Sequence, residues 1–255
     1  MNTVLSVQLK MITMKTKQQD IKISGVQKTS LIDYPEHIVA VIFTQGCNFT
    51  YPYCHNPELI TNKNDNNKYV NIKLFFEYLE KRKNLLDGVS ITGGEPLLHD
   101  GLHEFIQKVK VKNFKVKLDT NGSQPEKLQS LLNDNLLDYI AMDVKFPFST
   151  YNIVLPGKRN NIQVIRNIKR SISLILNSGL KHEFRTTVVP GMHNIKDIQK
   201  IAKSIRGTEK YYLQNFRPIN TLKPEMQKLH RFPPAKLKDF KNAAEKILPT
   251  VEIRD

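Results

Sequence analysis

The chain has 255 residues, a formal net charge of +15 and 40% hydrophobic residues. This length allows one large domain, as in many α/β barrels, or two small ones, and the apolar content is sufficient for a sizeable core. The sequence has no apolar run of about 20 residues, which excludes a transmembrane helix. Basic residues are spread along the chain without a nucleic-acid-binding signature, so we expect a solvated lysine-rich surface, open to an acidic protein partner, and no nucleic-acid ligand.

The first segment, residues 1–20, is polar with scattered apolar residues. It lacks the continuous apolar stretch and the small-residue cleavage site of a secretory signal. We therefore expect a disordered leader, with Met11 and Met14 as alternative starts, and a cytoplasmic protein. Residues 21–255 are expected to form a single domain.

Beyond the leader, apolar runs alternate with segments whose apolar residues recur at three- and four-residue spacing. The runs predict buried strands, and the spaced segments predict amphipathic helices. The predicted strands are 38–43, 88–92, 114–119, 139–143, 183–189 and 211–216, and the predicted helices are 72–86, 102–111, 125–135, 162–177, 195–206 and 234–248. Strands that alternate with helices indicate a parallel sheet, and about six such units predict a partial (β/α)6 barrel.

Both cysteines of the chain, Cys47 and Cys54, follow the first predicted strand. They therefore lie at the carboxyl end of a strand, where α/β proteins place their chemistry. The loop reads Gly46-Cys47-Asn48-Phe49-Thr50-Tyr51-Pro52-Tyr53-Cys54-His55-Asn56. With His55 the thiols give at most three ligands for zinc, which disfavours a zinc site. A disulfide between them stays open, although an intracellular chain would not use it structurally.

The same loop resembles the cluster-binding loop of radical S-adenosylmethionine (SAM) enzymes, whose pattern is Cys-x3-Cys-x2-Cys with an aromatic residue before the last cysteine. Cys47 and Cys54 match the outer cysteines and Tyr53 the aromatic residue, whereas Tyr51 stands at the middle cysteine. The resemblance implies a [4Fe–4S] cluster on three thiolates, with an open iron that chelates SAM. An electron from such a cluster cleaves SAM to methionine and a 5′-deoxyadenosyl radical.

Tyr51 is the departure that matters most, because the metal-ligating set becomes Cys47, Cys54 and Tyr51. A phenolate is a harder ligand than a thiolate and has an ordinary pKa near 10. Three interpretations are open: a cluster completed by Tyr51, water or an outside ligand; a degenerate site that still binds SAM or a partner; or a substitution in a formerly intact site. We expect cluster binding to be impaired or lost.

An upstream segment narrows the resemblance to one family. Gly25-Val26-Gln27-Lys28-Thr29-Ser30-Leu31-Ile32-Asp33-Tyr34-Pro35 is similar to the signature of the activating protein of anaerobic ribonucleoside-triphosphate reductase. The likeness continues to about residue 218 and departs at Tyr51, at Thr50 in place of a basic residue, and at Glu36 in place of glycine. Activases for pyruvate formate-lyase share the later motifs.

The family resemblance implies an enzyme that abstracts a hydrogen from a backbone glycine of a glycyl-radical enzyme. It also implies a reduced flavodoxin- or ferredoxin-like electron donor and no membrane partner. Neither a catalytic base nor a nucleophile is required, and no Ser/His/Asp arrangement is apparent. The alternatives are a non-catalytic SAM- or partner-binding barrel, which Tyr51 favours, and a different radical SAM reaction.

Four later motifs stand at the ends of predicted strands: Thr92-Gly93-Gly94-Glu95-Pro96, Leu118-Asp119-Thr120-Asn121-Gly122, Ala141-Met142-Asp143-Val144-Lys145, and Phe184-Arg185 with its exit loop to His193. Paired glycines allow close approach of a backbone to a ligand. Buried charges need partners, so Asp119, Asp143 and Lys145 are expected to form a polar cluster. Arg185 needs an anion such as Glu95 or SAM.

By resemblance, these motifs supply the SAM site: Thr92, Gly93, Gly94, Glu95, Asp119, Asn121, Lys145, Arg185, Val189 and Tyr53. The glycine motif would bind the SAM amino group and Lys145 the SAM carboxylate, with a monovalent cation near the aspartates. The alternative is a purely structural ion-pair network that closes the carboxyl end of the barrel. His193 would either contact SAM or lie exposed in its loop.

Overall fold

The structure, a computed structural model, describes residues 21–60, 69–155 and 161–254. The expected leader, residues 1–20, lies outside these ranges. The strands are β1 (Ile23–Ser30), β2 (Val39–Thr44), β3 (Gly88–Gly93), β4 (Lys115–Thr120), β5 (Tyr139–Asp143), β6 (Lys181–Val188), β7 (Tyr211–Asn215) and β8 (Val251–Arg254). The α-helices are α1 (Ile72–Lys81), α2 (Leu102–Val111), α3 (Pro125–Asn133), α4 (Asn161–Leu176), α5 (Ile195–Ser204) and α6 (Pro234–Glu245). Short 3₁₀ segments cover Pro57–Leu59, Pro96–Leu98, Phe148–Val154 and Pro224–Lys228.

The strands form one sheet in chain order, from β1 to β8. β1 pairs antiparallel with β2, and every later neighbouring pair is parallel. β1 and β8 lie at opposite edges and do not pair with each other in the described chain, so the barrel is open. The predicted α/β partial barrel is confirmed, and the carboxyl ends of β2 to β8 all lie at one end of it.

All six predicted strands are present, and the sheet gains one strand at each edge. β1 was missed because it is an edge strand whose residues are mostly half-buried or exposed, so no apolar run marks it. β8 has only 4 residues. Helices α1 and α6 end before the predicted residues 86 and 248, at Lys81 and Glu245.

The sequence explains where the core lies. β2, with the sequence VAVIFT, is buried along almost its whole length, as expected for a strand covered on both faces. Asn71 caps α1 by accepting hydrogen bonds from the backbone N–H groups of Lys73 and Leu74, which directs Phe75 and Leu79 into the core. Within the described ranges, no helix combines the length and apolar character that crossing a bilayer requires.

Candidate active site

A cavity lies at the carboxyl ends of the central strands, and most of the predicted site residues meet there. It is lined by Cys47, Phe49, Tyr51, Thr92, Gly93, Gly94, Asp119, Thr120, Asn121, Asp143, Lys145 and Arg185. Four predicted residues are not part of this lining: Tyr53, Cys54, Glu95 and Val189, all of which are buried. The structure therefore brings most of these residues together and separates lining residues from supporting ones.

The glycine motif lies directly against the cysteine loop. Gly93 has φ +117°, and a Cβ on Gly94 would stand 1.9 Å from the carbonyl oxygen of Gly46. The Gly94 N–H donates to the carbonyl of Thr44 at 2.9 Å, and the Glu95 N–H donates to that of Gly46 at 2.8 Å. Glycine is required here so that two backbones can approach and form one wall of the cavity.

Glu95 connects this wall to the end of β4. Its carboxylate is fully buried and accepts from Thr120 Oγ1 at 2.9 Å, from the Asn121 N–H at 2.6 Å and from the Leu97 N–H at 3.1 Å. Burial raises the pKa of Glu95 to about 7, although these hydrogen bonds oppose that rise. In this structure Glu95 is thus a supporting residue that fixes Thr120 and Asn121.

Asn121 continues the connection to the cysteine loop. Its Nδ2 donates to Asn48 Oδ1 at 2.9 Å, and Asn48 Nδ2 donates to Ser123 Oγ at 2.8 Å. The sequence did not single out Asn48 or Ser123 as site residues. Their positions beside Cys47 and after Asn121 were the only indications of this role.

The expected polar cluster is present and centres on Arg185. Arg185 Nε donates to Asp143 at 2.8 Å, and its Nη1 donates to Asp119 at 3.1 Å. Lys145 Nζ also donates to Asp143, at 2.8 Å, and buried Lys117 donates to Asp119. The partners of Arg185 are therefore these aspartates and not Glu95, because the Glu95 carboxylate is turned toward Thr120 and Asn121.

These contacts set the protonation of the cluster. Burial would raise the pKa of Asp119 and Asp143, but Arg185 and the neighbouring lysines outweigh it and hold both pKa values below their ordinary range. Burial likewise opposes the charge of Lys145, but Asp143 raises the Lys145 pKa. Asp119, Asp143, Lys145 and Arg185 are thus charged at neutral pH.

A second ionic layer lies beneath the cluster. Glu183 is buried, and its two oxygens accept from Arg254 Nη1 and Nη2 at 2.9 Å each. Tyr139 Oη donates to the same carboxylate at 3.0 Å. Sequence reasoning missed Lys117, Glu183 and Arg254, although the first two lie within predicted strands, where a buried charge needs a partner.

The cysteine loop holds its candidate metal ligands in a poorly solvated environment. The Cys47 thiol accepts a hydrogen bond from the Phe49 N–H at 3.4 Å, and burial raises the Cys47 pKa to about 12. Cys54 is buried, its carbonyl accepts from the Leu222 N–H at 2.9 Å, and neither cysteine is in a disulfide. The Cys47 thiol is therefore disposed to stay protonated until a metal displaces the proton.

Tyr51 lies between this loop and the charged cluster. Its ring centroid is 4.8 Å from Lys145 Nζ and 4.7 Å from that of Tyr53. Burial, the two thiols and Asp143 raise its pKa well above the ordinary value, and a hydrogen bond with Cys54 adds to the rise. The phenol is thus neutral at physiological pH and is held by a cation–π contact. Tyr53 is buried behind it with a hydroxyl that has no partner among the described residues.

His193 and Val189 form part of the support. His193 is 6% exposed, and its Nδ1 accepts from the Val189 N–H at 3.1 Å while its Nε2 donates to the Lys145 carbonyl at 2.9 Å. The ring stacks on Phe146 at a centroid distance of 4.6 Å. The expectation of an exposed loop histidine was wrong, since the His193 side chain is buried and both of its ring nitrogens are hydrogen-bonded; it fixes the backbone of Lys145.

Residues 41–205 match the family model described as the Radical SAM superfamily. The chain belongs to this superfamily. Among sequence relatives, it is 33% identical to a predicted glycyl-radical enzyme activating enzyme of Methanocaldococcus jannaschii, over 91% of this chain and 95% of the relative. It is 26% identical to the pyruvate formate-lyase-activating enzyme of Clostridium pasteurianum, over 80% of this chain and 85% of the relative. These homologues indicate an enzyme with oxidoreductase-type radical chemistry.

Solved structures agree on the fold. SuiB of Streptococcus suis, bound to S-adenosylmethionine, superposes with a TM-score of 0.64 at 15% identity, over 84% of this chain and 50% of SuiB. A radical SAM methyltransferase from Sphaerobacter thermophilus gives a TM-score of 0.62 at 14% identity, over 86% of this chain and 67% of that protein. Sequence identities this low support a shared fold only.

The superfamily implies SAM and a [4Fe–4S] cluster. The residues of this chain suit SAM better than they suit the cluster. The cavity offers paired glycines, a buried ammonium and a guanidinium, which suit the amino and carboxylate groups of SAM. The cluster donors are two thiols and a phenol with a raised pKa, which do not match three thiolates. In the described part of the chain, no three or more His, Cys, Asp or Glu side chains are grouped to hold a metal ion.

Proposed function

We propose that the protein is an activating protein that binds SAM and generates a glycyl radical on anaerobic ribonucleoside-triphosphate reductase. The observation that carries this proposal is the convergence of the cysteine loop, the glycine motif and the Asp119–Arg185–Asp143–Lys145 cluster on one cavity. The choice of partner follows from the likeness of residues 25–35 to the reductase-activating family. A flavodoxin- or ferredoxin-like protein would supply electrons.

In this proposal Lys145 binds the SAM carboxylate. Its ammonium group has three protons and donates one of them to Asp143, so donors remain for a second anion. Gly93 and Gly94 would place backbone atoms near the SAM amino group. Glu95 fixes the end of β4, and His193 fixes the backbone of Lys145. The chain's own contribution is to orient SAM and to exclude water, and we derive no step through a cluster.

A monovalent cation beside Asp119 and Asp143 is less favoured. Lys117, Arg185 and Lys145 already supply three positive charges to these two carboxylates. A further cation would have to displace one of these side chains. The charged cluster therefore supports SAM binding more than cation binding.

The second candidate function is a barrel that binds SAM or a partner without radical chemistry. Tyr51 favours it, because a neutral phenol occupies the position of the third thiolate. The intact charged cluster favours retained SAM binding in either case, so SAM binding alone does not separate the two candidates.

The test is to incubate the anaerobically reconstituted protein with SAM, a reductant and the purified reductase, and to record electron paramagnetic resonance spectra. A glycyl-radical doublet on the reductase supports the first function. SAM binding by calorimetry without a doublet supports the second. If the protein neither binds SAM nor forms the radical, both candidate functions are overturned. Lys145→Met, compared with the exposed control Lys200→Met, checks that SAM binding uses the cavity.

A further inference from the structure

A second cavity, of about 270 Å³, opens at the carboxyl ends of β6, β7 and β8. We call it the β7 cavity, and it is lined by His55, Thr187, Gln214, Asn215, Arg217 and Arg254. One carboxylate separates it from the cavity proposed for SAM: Glu183 Oε1 lies 2.9 Å from Arg254 Nη1 and 3.9 Å from Arg185 Nη1. A molecule in the β7 cavity would therefore be a close neighbour of bound SAM.

The strand register directs three side chains into this cavity. Thr187 follows Arg185 by two residues on β6, and side chains two apart on a strand project from the same face. Thr187 is the register partner of Gln214 on β7, and Gln214 is the register partner of Arg254 on β8. Thr187, Gln214 and Arg254 therefore face the barrel interior, as Arg185 does.

Two of these side chains are uncharged and have no partner. Thr187 and Gln214 are half-buried, and their side chains make no hydrogen bond with any group in residues 21–60, 69–155 and 161–254. Asn215, in contrast, exchanges hydrogen bonds with the backbone of Phe232 at 3.1 and 3.3 Å, so its amide supports the loop after β7. Thr187 and Gln214 are thus the uncharged groups that a ligand would meet.

The arginine deeper in the cavity does not call for an anion. Arg254 donates through both Nη atoms to the buried Glu183 carboxylate, at 2.9 Å each, and its guanidinium carbon lies 3.4 Å from the centroid of the Tyr212 ring. Its charge is therefore compensated and its position is fixed. Arg217 lies at the exposed rim. The inner part of the cavity thus favours an uncharged polar ligand.

The chemistry of the proposed substrate requires groups of this kind. Glycine has no side chain, so a protein that acts on one glycine must recognise the peptide groups on either side of it, each with one N–H and one C=O. The Gln214 amide offers a donor and an acceptor, and the Thr187 hydroxyl can both donate and accept. Register partners on neighbouring strands lie roughly 5 Å apart, which suits peptide groups of one extended segment.

We propose that Gln214 and Thr187 determine substrate specificity by hydrogen-bonding the peptide groups that flank the target glycine of the partner protein. The β7 cavity would then select an uncharged, extended backbone segment and hold it beside SAM. This inference rests on the proposed function, because it takes a backbone glycine as the substrate. It adds the residues that recognise the partner, on strands that contribute Thr187 and Gln214 to no other contact.

The test uses a capped peptide that copies the reductase sequence around its radical glycine, and an ester analogue in which oxygen replaces the N–H of that glycine. With SAM present, calorimetry should give the amide peptide an affinity about tenfold higher than that of the ester, because the ester lacks one donor. Gln214→Met/Thr187→Val should bind the amide peptide about tenfold more weakly than wild type and should bind the two peptides equally. The loss of discrimination is the result that a purely structural role would not produce.

The matched control is Gln27→Met/Thr29→Val, which makes the same changes at exposed positions of β1 and should leave both affinities unchanged. The inference is overturned if wild type binds neither peptide, if the Gln214/Thr187 variant still prefers the amide, or if millimolar inorganic phosphate displaces the peptide. The proposed function fails separately, through the resonance experiment on the intact reductase. A glycyl-radical doublet together with unchanged peptide binding in the variant would overturn this inference alone.

Discussion

On one side of the cavity that we propose for SAM, Arg185 and Lys145 are hydrogen-bonded to Asp119 and Asp143 by contacts of 2.8–3.1 Å. On the other side, the thiols of Cys47 and Cys54 are free, and Tyr51 stands beside them as a neutral phenol. We name these the charged half (Asp119, Asp143, Lys145 and Arg185) and the cysteine half (Cys47, Tyr51 and Cys54). The charged half has its charges compensated by the protein alone, whereas the cysteine half would be completed only by an added group.

The difference shows which half of the site depends on the identity of a single residue. A network in which each carboxylate has two cationic partners keeps its geometry without ligand. A set of metal donors has no such internal support, and its affinity depends on the number and type of ligands. The comparison predicts that substitutions in the charged half affect folding, while those at Tyr51 affect metal content.

The largest effect is expected from Arg185→Met. It removes the guanidinium that Asp119 and Asp143 share, and buried carboxylates that lose a partner typically cost about 3–5 kcal/mol. Urea denaturation should therefore show a lower free energy of unfolding by roughly 4 kcal/mol. Arg170→Met, which breaks an exposed pair with Glu126, should change it by less than about 1 kcal/mol. Similar losses in the two variants would refute the assigned role of the network.

A somewhat smaller effect is expected for the pH dependence that Glu95 causes. Its pKa is about 7 when folded and 4.5 in the reference state. Between these values the folded carboxyl binds a proton that the unfolded carboxyl releases, so rising pH favours unfolding. The contribution amounts to about 3 kcal/mol once pH exceeds the folded pKa.

Glu95→Gln isolates this contribution. Stability should be measured by denaturant titration from about pH 4 to pH 8 in both proteins. Between pH 4 and pH 8, the free energy of unfolding should fall further in the wild type than in Glu95→Gln, by up to about 3 kcal/mol. The low pKa of Asp143 acts with the opposite sign and at lower pH, and it is common to both proteins. Parallel curves would mean that Glu95 is not protonated by burial.

The smallest effect is expected from Tyr51→Phe. This change removes the hydroxyl beside Cys54 but keeps the ring over Lys145, so the free energy of unfolding should fall by about 1 kcal/mol or less. Tyr139→Phe is the matched control, because it takes a donor from the buried Glu183 carboxylate and should cost more. A larger loss for Tyr51→Phe would mean that the cysteine half also supports the fold.

Much of this arrangement was predictable from sequence because the signals were local. Apolar runs marked the six inner strands, and polar residues at their ends marked Asp119, Lys145 and Arg185 as neighbours. What could not be predicted was the pairing of those charges. Arg185 had two candidate anions, and only the geometry shows that Glu95 turns toward Thr120 and Asn121.

The edge strands and the supporting residues were hidden for a different reason. β1 carries little apolar pattern because much of it is exposed, and β8 is short. His193 looked like a loop residue, yet it is buried against Phe146 and bonded to the Lys145 backbone, which depends on contacts far apart in the chain. Such long-range packing leaves no periodic trace in the sequence.

The central claim is that Tyr51 leaves the cysteine half one thiolate short. The most direct measurement is iron and acid-labile sulfide per chain after anaerobic reconstitution of wild type, Tyr51→Cys and Tyr51→Ala, the last of which removes the ring without adding a thiol. Tyr51→Cys should approach about four iron and four sulfide per chain, with the wild type and Tyr51→Ala well below that level. Equal iron and sulfide in wild type and Tyr51→Cys would contradict the claim.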